Sequence, residues 1–329
     1  MRNISLVILF FLSYSCTSMS QERRDSVINT SDSISCQKDS IITSRLTLLF
    51  AGDLMQHQAQ INAARTSTGY DYSDCFKFVK EEINRADIAI ANLEVTLGGK
   101  PYRGYPAFSA PDEYLFAIRD AGFDVLITAN NHCLDKGKKG LERTLLMLDS
   151  LQIPHAGTYV NTESREQQYP LLLEKNGFRI ALLNYTYGTN GIKVISPNVV
   201  NYIDKAVMAQ DIEAARAQHP DALIACMHWG DEYQSLPNKE QKNLTDWLLQ
   251  QGVTHIIGSH PHVVQPMELR TDSITGNQHV VVYSLGNFIS NMSARHTDGG
   301  LLFKLELEKD SVTRVANCGY SLVWTSRQV

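Results

Sequence analysis

The chain has 329 residues, 43% of them apolar and 20% charged, the make-up of a soluble globular protein with room for one large domain or two ordinary ones. A formal net charge of −5 supplies no basic excess for gripping phosphate backbones, so nucleic acid is not expected as a partner.

The first segment in chain order is not globular. A short basic start, MRN, precedes ISLVILFFLSYS, an apolar run too short for a resident membrane helix and suited to a signal-peptide core. The run ends at Ser15-Cys16, which resembles a bacterial lipoprotein box. Residues 1–16 therefore read as a signal segment, with lipid on Cys16 anchoring the protein to the envelope membrane; plain secretion is the alternative. Residues 17–44 are rich in Ser, Asp, Thr and Gln, bury too little apolar surface to fold, and read as a flexible tether. Apart from Cys16, the cysteines are Cys36, Cys75, Cys133, Cys226 and Cys318. They show no CxxC spacing, and their odd number leaves at least one thiol without an intramolecular disulfide partner. Cys75, Cys133 and Cys226 lie in or beside periodic apolar segments and are expected as small buried hydrophobes.

From Arg45 onward, short apolar runs alternate with helical patterns. LTLLFA (46–51) predicts a buried strand, and SDCFKFVKEEINRA (73–86) a helix capped by Ser73 or Asp74. DIAIANLE (87–94) predicts a strand, PDEYLFAIRDAG (111–122) a helix with proline and acids at its start and glycine at its end, and DVLITAN (124–130) a strand. A helix is expected over 139–152. Residues 169–186 read as two strands around Asn176-Gly177, the strongest hairpin signal in the chain. Helices over 204–219 and 237–252 alternate with strands over 222–230 and 253–260. Strands over 279–288 and 300–310, and one near CGYSLVWT, close the chain. Strands alternating with helices, together with hairpins, imply an α/β fold with mixed sheets covered by helices, and residues 45–329 read as one domain.

In open α/β folds ligands gather at the carboxyl ends of the strands. Here those ends carry Asp53; Asn92 and Glu94; Asn130, Asn131 and His132; His228, Glu232 and Tyr233; His260 and His262; and Asn287. One aspartate after a strand is ordinarily a turn residue, and one histidine beside a tryptophan is ordinarily packed or solvated. Polar ligand-type residues at successive strand ends point instead to a common site. Carboxylates, imidazoles and an amide oxygen form a mixed O/N set suited to Mn²⁺, Zn²⁺ or Fe, and a caged Mg²⁺ or Ca²⁺ would not need three histidines. Six candidate ligands, one of which could bridge, suffice for one or two divalent metal ions.

Taken in order, GDLM, NLE, NNHCLDKGKKGL, HWGDEY, GSHPHVVQP and YSLGNF, with YPAFSAPDEYLFAIRDAGFDVLITANNH between, resemble the CapA (poly-γ-glutamate capsule synthesis) family of the calcineurin-like metallophosphatase superfamily. The resemblance covers roughly residues 46–290. It implies a metallophosphatase-like sandwich of two mixed β-sheets flanked by helices, with a dinuclear site at the strand ends. It further implies that Asp53 and His262 hold a first ion, that Asn131, His228 and His260 hold a second, and that Glu94 bridges them. His132 would be the catalytic acid, oriented by Asp135. The superfamily pattern begins Asp-x-His, whereas Met55 stands at the histidine position here and leaves His57 as a substitute; the bridging Glu94 is longer than the usual aspartate.

Arg103 and Tyr105, in the Gly/Pro-broken loop 99–108, and Tyr233 are expected to line a substrate pocket, where an arginine suits a carboxylate. Tyr185 and Tyr187 are further candidates. Two functions are consistent with these residues. One is an envelope metallohydrolase in which a metal-bound hydroxide attacks a phosphoester or an amide, on an anionic polymer or a small molecule. The other is a non-catalytic capsule assembly or export factor holding an anionic polymer.

Overall fold

Strand β1 (Ser44–Leu54) is apolar almost without interruption because both of its faces are covered. Leu46, Leu48 and Phe50 enter one buried cluster and Leu49 and Ala51 another, as the two-residue repeat of a strand requires. A register shift between Ala51 and Asp53 breaks that alternation at the strand's end, and Leu54 joins the second cluster.

The computed structural model describes residues 43–326. The signal segment, Cys16, Cys36 and nearly all of the expected tether lie outside the described residues. From β1 the chain runs through α1 (Gln58–Ala63), α2 (Lys80–Asn84), β2 (Ile88–Leu93), α3 (Asp112–Ala121), β3 (Val125–Ile127) and α4 (Gly137–Ser150). Next come β4 (His155–Ala156), β5 (Thr158–Tyr159), α5 (Thr162–Gln168), β6 (Leu171–Lys175) and β7 (Phe178–Thr186). They are followed by β8 (Val199–Val200), α6 (Lys205–Arg216), β9 (Ala222–His228), α7 (Lys239–Gln250) and β10 (His255–Ser259). The strands β11 (Met267–Thr271), β12 (Gln278–Val282), β13 (Asn287–Ile289), β14 (Gly299–Lys309) and β15 (Thr313–Trp324) complete the order.

Of the two large sheets, one has the order β15-β14-β1-β2-β3-β4, with β13 also paired to β1, and the other has the order β11-β12-β10-β9-β7-β6; β5 and β8 form a separate two-stranded sheet. Both large sheets are mixed. In the first, β1 to β4 are parallel and β14 is antiparallel to β1. In the second, β12, β10, β9 and β7 are parallel and antiparallel strands close each edge. Between the sheets lie Leu48, Phe50, Ile90, Ile180, Ile224 and Val282. Tyr114, Leu115 and Ile118 of α3 pack on Leu49 and Ala89 outside the first sheet. Met208 and Ile212 of α6, with Leu244 and Leu248 of α7, pack on Leu183 and Leu223 outside the second. The result is the metallophosphatase-like sandwich of two mixed sheets flanked by helices.

The Asn176-Gly177 hairpin forms as expected, both residues at positive φ (52° and 79°). The helix expected over 73–86 is confined to α2. Turns closed by Cys75 N–H to the Tyr72 carbonyl and by Val79 N–H to the Phe76 carbonyl replace its first part. Tyr72, Phe76, Val79 and Ile83 all still reach the same core cluster, so the helical spacing records burial rather than an unbroken helix. Residues 279–288, expected as one strand, divide into β12 and β13, which belong to different sheets. Cys133 and Cys226 are buried and Cys75 is half-buried, and the described cysteines are all free thiols.

Leu48 is fully buried between the sheets. Leu48→Ala is expected to lower unfolding stability by about 2–5 kcal/mol, measured by chemical denaturation, through lost transfer energy and the cavity left behind. Leu269→Ala, on the half-exposed face of β11, should fall within about 0.5 kcal/mol of the parent.

Candidate metal centre

Parallel pairing brings the strand ends level. Asp53 is in register with Asn92 of β2 on one side and with Asn287 of β13 on the other. In the second sheet, Ser259 of β10 pairs with His228 of β9. The chain leaves β10 through His260, Pro261 and His262, where both histidines adopt positive φ (98° and 59°), a conformation that L-residues rarely take. Backbone strain of this kind persists where the surroundings over-determine it, and it gathers at functional sites. Close approach of β1 to the segment leading into β13 requires Gly52, because a Cβ there would lie 1.9 Å from the Gly286 carbonyl oxygen. Asp53 N–H donates to that same carbonyl at 3.1 Å.

Asp53, Glu94, Asn131, His228, His260 and His262 converge where the two sheets meet, and each is at most 3% exposed. His262 Nδ1 lies 3.2 Å from Asp53 Oδ2, and His228 Nε2 lies 3.6 Å from Glu94 Oε1. His262 Nε2 is 3.9 Å from the same Glu94 oxygen. Two sets of ligand atoms each fall within 4.8 Å of one another: Glu94, His260 and His262, and Asp53, Glu94 and His228. Glu94 is common to both, the position a bridging ligand occupies. The sets divide the ligands differently from the pattern the resemblance implies, as a tight cluster centred on one carboxylate does. Neither set contains His57, whose ring lies edge-on to Phe108 and whose Nδ1 accepts from Asn291 N–H.

Amides form a second layer. Asn92 Nδ2 donates to Asp53 Oδ1 at 2.8 Å and sits 3.3 Å from His228 Nδ1. Asn130 Nδ2 donates to Asn92 Oδ1, which fixes the rotamer of that hub. Asn131 Oδ1 lies 2.8 Å from His228 Nε2, while its Nδ2 donates to Asn190 Oδ1. His262 Nδ1 lies 3.0 Å from Asn287 Oδ1; when this nitrogen donates there, Nε2 faces Glu94. Asn92 and Asn190 carry more of the geometry than their sequence context suggests. Asn92 stands among the polar strand-end residues but not among the expected ligands, and the loop around Asn190 carries no comparable signal.

The electrostatics are those of crowded, buried charge. Burial pushes the Asp53 carboxyl up, but the nearby His262 imidazole, with the Asn92 amide, holds it below the ordinary value. Glu94 is driven well above the usual range, by burial first and the Asp53 charge second. His262 is raised, its burial outweighed by Asp53, so the two behave as an ion pair. His228 is held well below the ordinary value and His260 is lowered to about 3, each by burial first and by neighbouring imidazoles second. Asp53 Oδ2, Glu94 Oε1 and His260 Nδ1 are buried without a hydrogen-bond partner. Unpartnered carboxylate oxygens facing imidazole nitrogens fit a divalent cation, because a buried ionised carboxylate is costly without a counter-charge.

Around this core, His132 Nδ1 lies 2.8 Å from Asp135 Oδ2, both side chains buried, and Asp135 also accepts from Phe108 N–H at 2.7 Å. Phe108 meets the His132 ring at 4.7 Å between centroids, and Tyr105 meets Phe108 at 6.2 Å. Tyr233 lies 6.2 Å from His262, and Tyr187 lies 4.5 Å from His260. Tyr233 thus stands against the ligand set, whereas Tyr105 is separated from it by Phe108 and His132, and both tyrosines are exposed. Arg103 is exposed in the same loop as Tyr105, its side chain without a hydrogen bond or ion pair among the described residues. Tyr185 is buried beneath the second sheet against Asp211, away from the ligand cluster.

Glu94 provides a pH test. Its raised pKa means that the folded state binds this proton more tightly than the unfolded chain does. The stabilising contribution is full below about 4.5 and is lost as pH rises through the folded-state value. In chelator-treated protein, Glu94→Gln is expected to unfold at higher urea than the parent at pH 7, with the difference shrinking by pH 4.

The solved chain of Haemophilus influenzae NAD nucleotidase superposes with a TM-score of 0.51 at 13% identity, over 87% of this chain and 60% of that one, a likeness of fold. The "Capsule biosynthesis protein CapA" of Bacillus anthracis is 26% identical over 287 residues, and the "PGA biosynthesis protein CapA" of Bacillus subtilis is 29% identical over 279. Each match takes in 82% of this chain, which spans 66% and 70% of those relatives' own lengths. The family model for bacterial capsule synthesis protein PGA_cap matches residues 47–292, from the first strand to just beyond β13. The chain belongs to this capsule synthesis family.

Proposed function

We propose that this protein is a metal-dependent hydrolase of the cell envelope that acts in the synthesis of a capsule or related surface polymer. The observation that carries this reading is the pair of buried carboxylates, Asp53 and Glu94, facing three imidazoles with unpartnered oxygen and nitrogen atoms between them. Asp53, Glu94, Asn131, His228, His260 and His262 would hold one or two divalent ions of the Mn, Zn or Fe type, for which mixed O/N ligands are suited. When bound, such ions supply a Lewis acid and a water of lowered pKa. The chain's own residues do the rest. Asp135, accepting from His132 Nδ1, fixes the orientation of the ring so that its other nitrogen can give a proton to the leaving group. Phe108 packs on the His132 ring and limits its rotation. The bond cleaved is a phosphoester, or an amide of a γ-glutamyl polymer or related glycan.

Among the described residues no helix is long and apolar enough to cross a membrane. Attachment is proposed to come from lipid on Cys16, with residues 17–44 as the tether. Cys16→Ala is expected to move the protein from the membrane fraction to the soluble fraction on cell fractionation.

Purified protein reconstituted with Mn²⁺ or Zn²⁺ is expected to retain metal through gel filtration, as read by elemental analysis, and Asp53→Asn or His260→Ala to lose it. His132→Ala should keep its metal while turnover of phosphoesters or γ-glutamyl peptides falls by about 10²–10⁴-fold. Absence of both metal and turnover in the parent protein would remove the hydrolase reading. Full rescue of capsule by His132→Ala in a deletion strain would favour the assembly or export factor instead.

A further inference from the structure

Tyr187 faces two ways in function. Its ring lies 4.5 Å from that of His260, and it also lines a cavity of about 550 Å³ beyond the ligand cluster. Trp229, next in the chain after His228, lines the same cavity. Tyr187 thus borders both the cluster and this space, which is where a substrate reacting at the cluster and extending past Tyr187 would lie.

The lining disfavours an anion. Lys205 is the cation of the lining, and its ammonium rests 5.3 Å from the Trp247 ring centroid. Asp231 and Glu240 line the cavity too, and Glu232 follows Asp231 in the same exposed loop. The start of α7 also borders the space, and its N-terminal turn is held by its own side chains. Asn238 accepts from Gln241 N–H, and the Gln241 side chain accepts from Asn238 N–H, closing a capping box. Gly230 has φ +88°, and a Cβ there would meet the Gln241 amide at 2.6 Å, so this arrangement is tightly fitted.

What the cavity offers is an aromatic face and uncommitted polar groups. Tyr187 is 48% exposed. Glu240 and Asn243 are exposed, and their side chains have no hydrogen-bond or ion-pair partner among the described residues. Leu244 and Ile203 supply apolar surface. A carboxylate accepts from hydroxyls, an amide both donates and accepts, and a half-exposed phenol ring covers a flat C–H face. We propose that this cavity is a subsite for an uncharged sugar unit adjoining the reacting group, so that the substrate chain is a glycan rather than an all-anionic polymer. The assignment deepens the hydrolase reading, since that reading fixes where the chain reacts, but occupancy of the cavity does not need the metal.

The test uses chelator-treated full-length protein and two probes, an N-acetylglucosamine tetrasaccharide and a γ-glutamate oligomer, with binding followed by ligand-observed NMR and calorimetry. The sugar is expected to bind, with Asn243→Ala weakening it about 3–10-fold and Glu240→Ala having a similar effect, the scale of one lost hydrogen bond. No sugar binding, sugar binding that both variants leave untouched, or tighter γ-glutamate binding that Asn243→Ala weakens would each overturn the proposal. Metal content measured on the same preparation before chelation reports separately on the hydrolase reading. A protein that holds metal but binds no sugar loses only the subsite, and one that binds sugar but holds no metal loses only the hydrolase.

Discussion

Two carboxylates buried side by side constrain the rest of this molecule. Asp53 and Glu94 share a space closed to water, where like charges repel strongly and each ion forfeits its hydration. The fold answers with opposite charge and dipoles. His262 pairs with Asp53, Asn92 bridges toward both carboxylates, and Glu94 keeps a high proton affinity. No local stretch of chain supplies these partners. They arrive from both sheets, so the charge cluster and the sandwich depend on each other.

That dependence explains where the backbone departs from regularity. β1 shifts register just before Asp53. The chain leaves β10 with two histidines at positive φ, and it crosses from the second sheet to the first between β12 and β13, setting Asn287 beside Asp53. Each irregularity sits within reach of the cluster, while the inter-sheet core of Leu, Ile, Val and Phe side chains stays regular. A rigid core holding a strained rim is the arrangement that lets a site keep unfavourable geometry.

The layer around the cluster ties the rim to function. Asp135 accepts from both His132 and the Phe108 backbone, so the loop carrying Tyr105 and the candidate acid are held through one carboxylate. Asn190 reaches from an exposed loop to Asn131 at 3.2 Å and to His132 at 3.5 Å. Tyr187, on the same loop, covers His260. Movement of either loop therefore changes ligand orientation and access together.

Much of this was legible in sequence because it is local and periodic. The near-continuous apolar runs LTLLFA and ALIACMH reported buried strands, Asn176-Gly177 reported a hairpin, and the polar residues ending successive strands reported where a site would form. Helical spacing over 73–79 misled, because turns can bury Tyr72, Phe76 and Val79 at the same intervals as a helix. Nothing local distinguishes the switch of sheets after Val282, the choice of Asn92 as a hub rather than a ligand, or the approach of Asn190. By itself the sequence determined which residues are capable of ligation and at which strand ends they stand. Tertiary structure alone decided that Glu94 lies in both ligand sets, that His57 and Tyr185 lie outside them, and that a cavity with acidic lining adjoins them. The reason is that distances between side chains on different strands depend on register and sheet packing, which no single segment encodes.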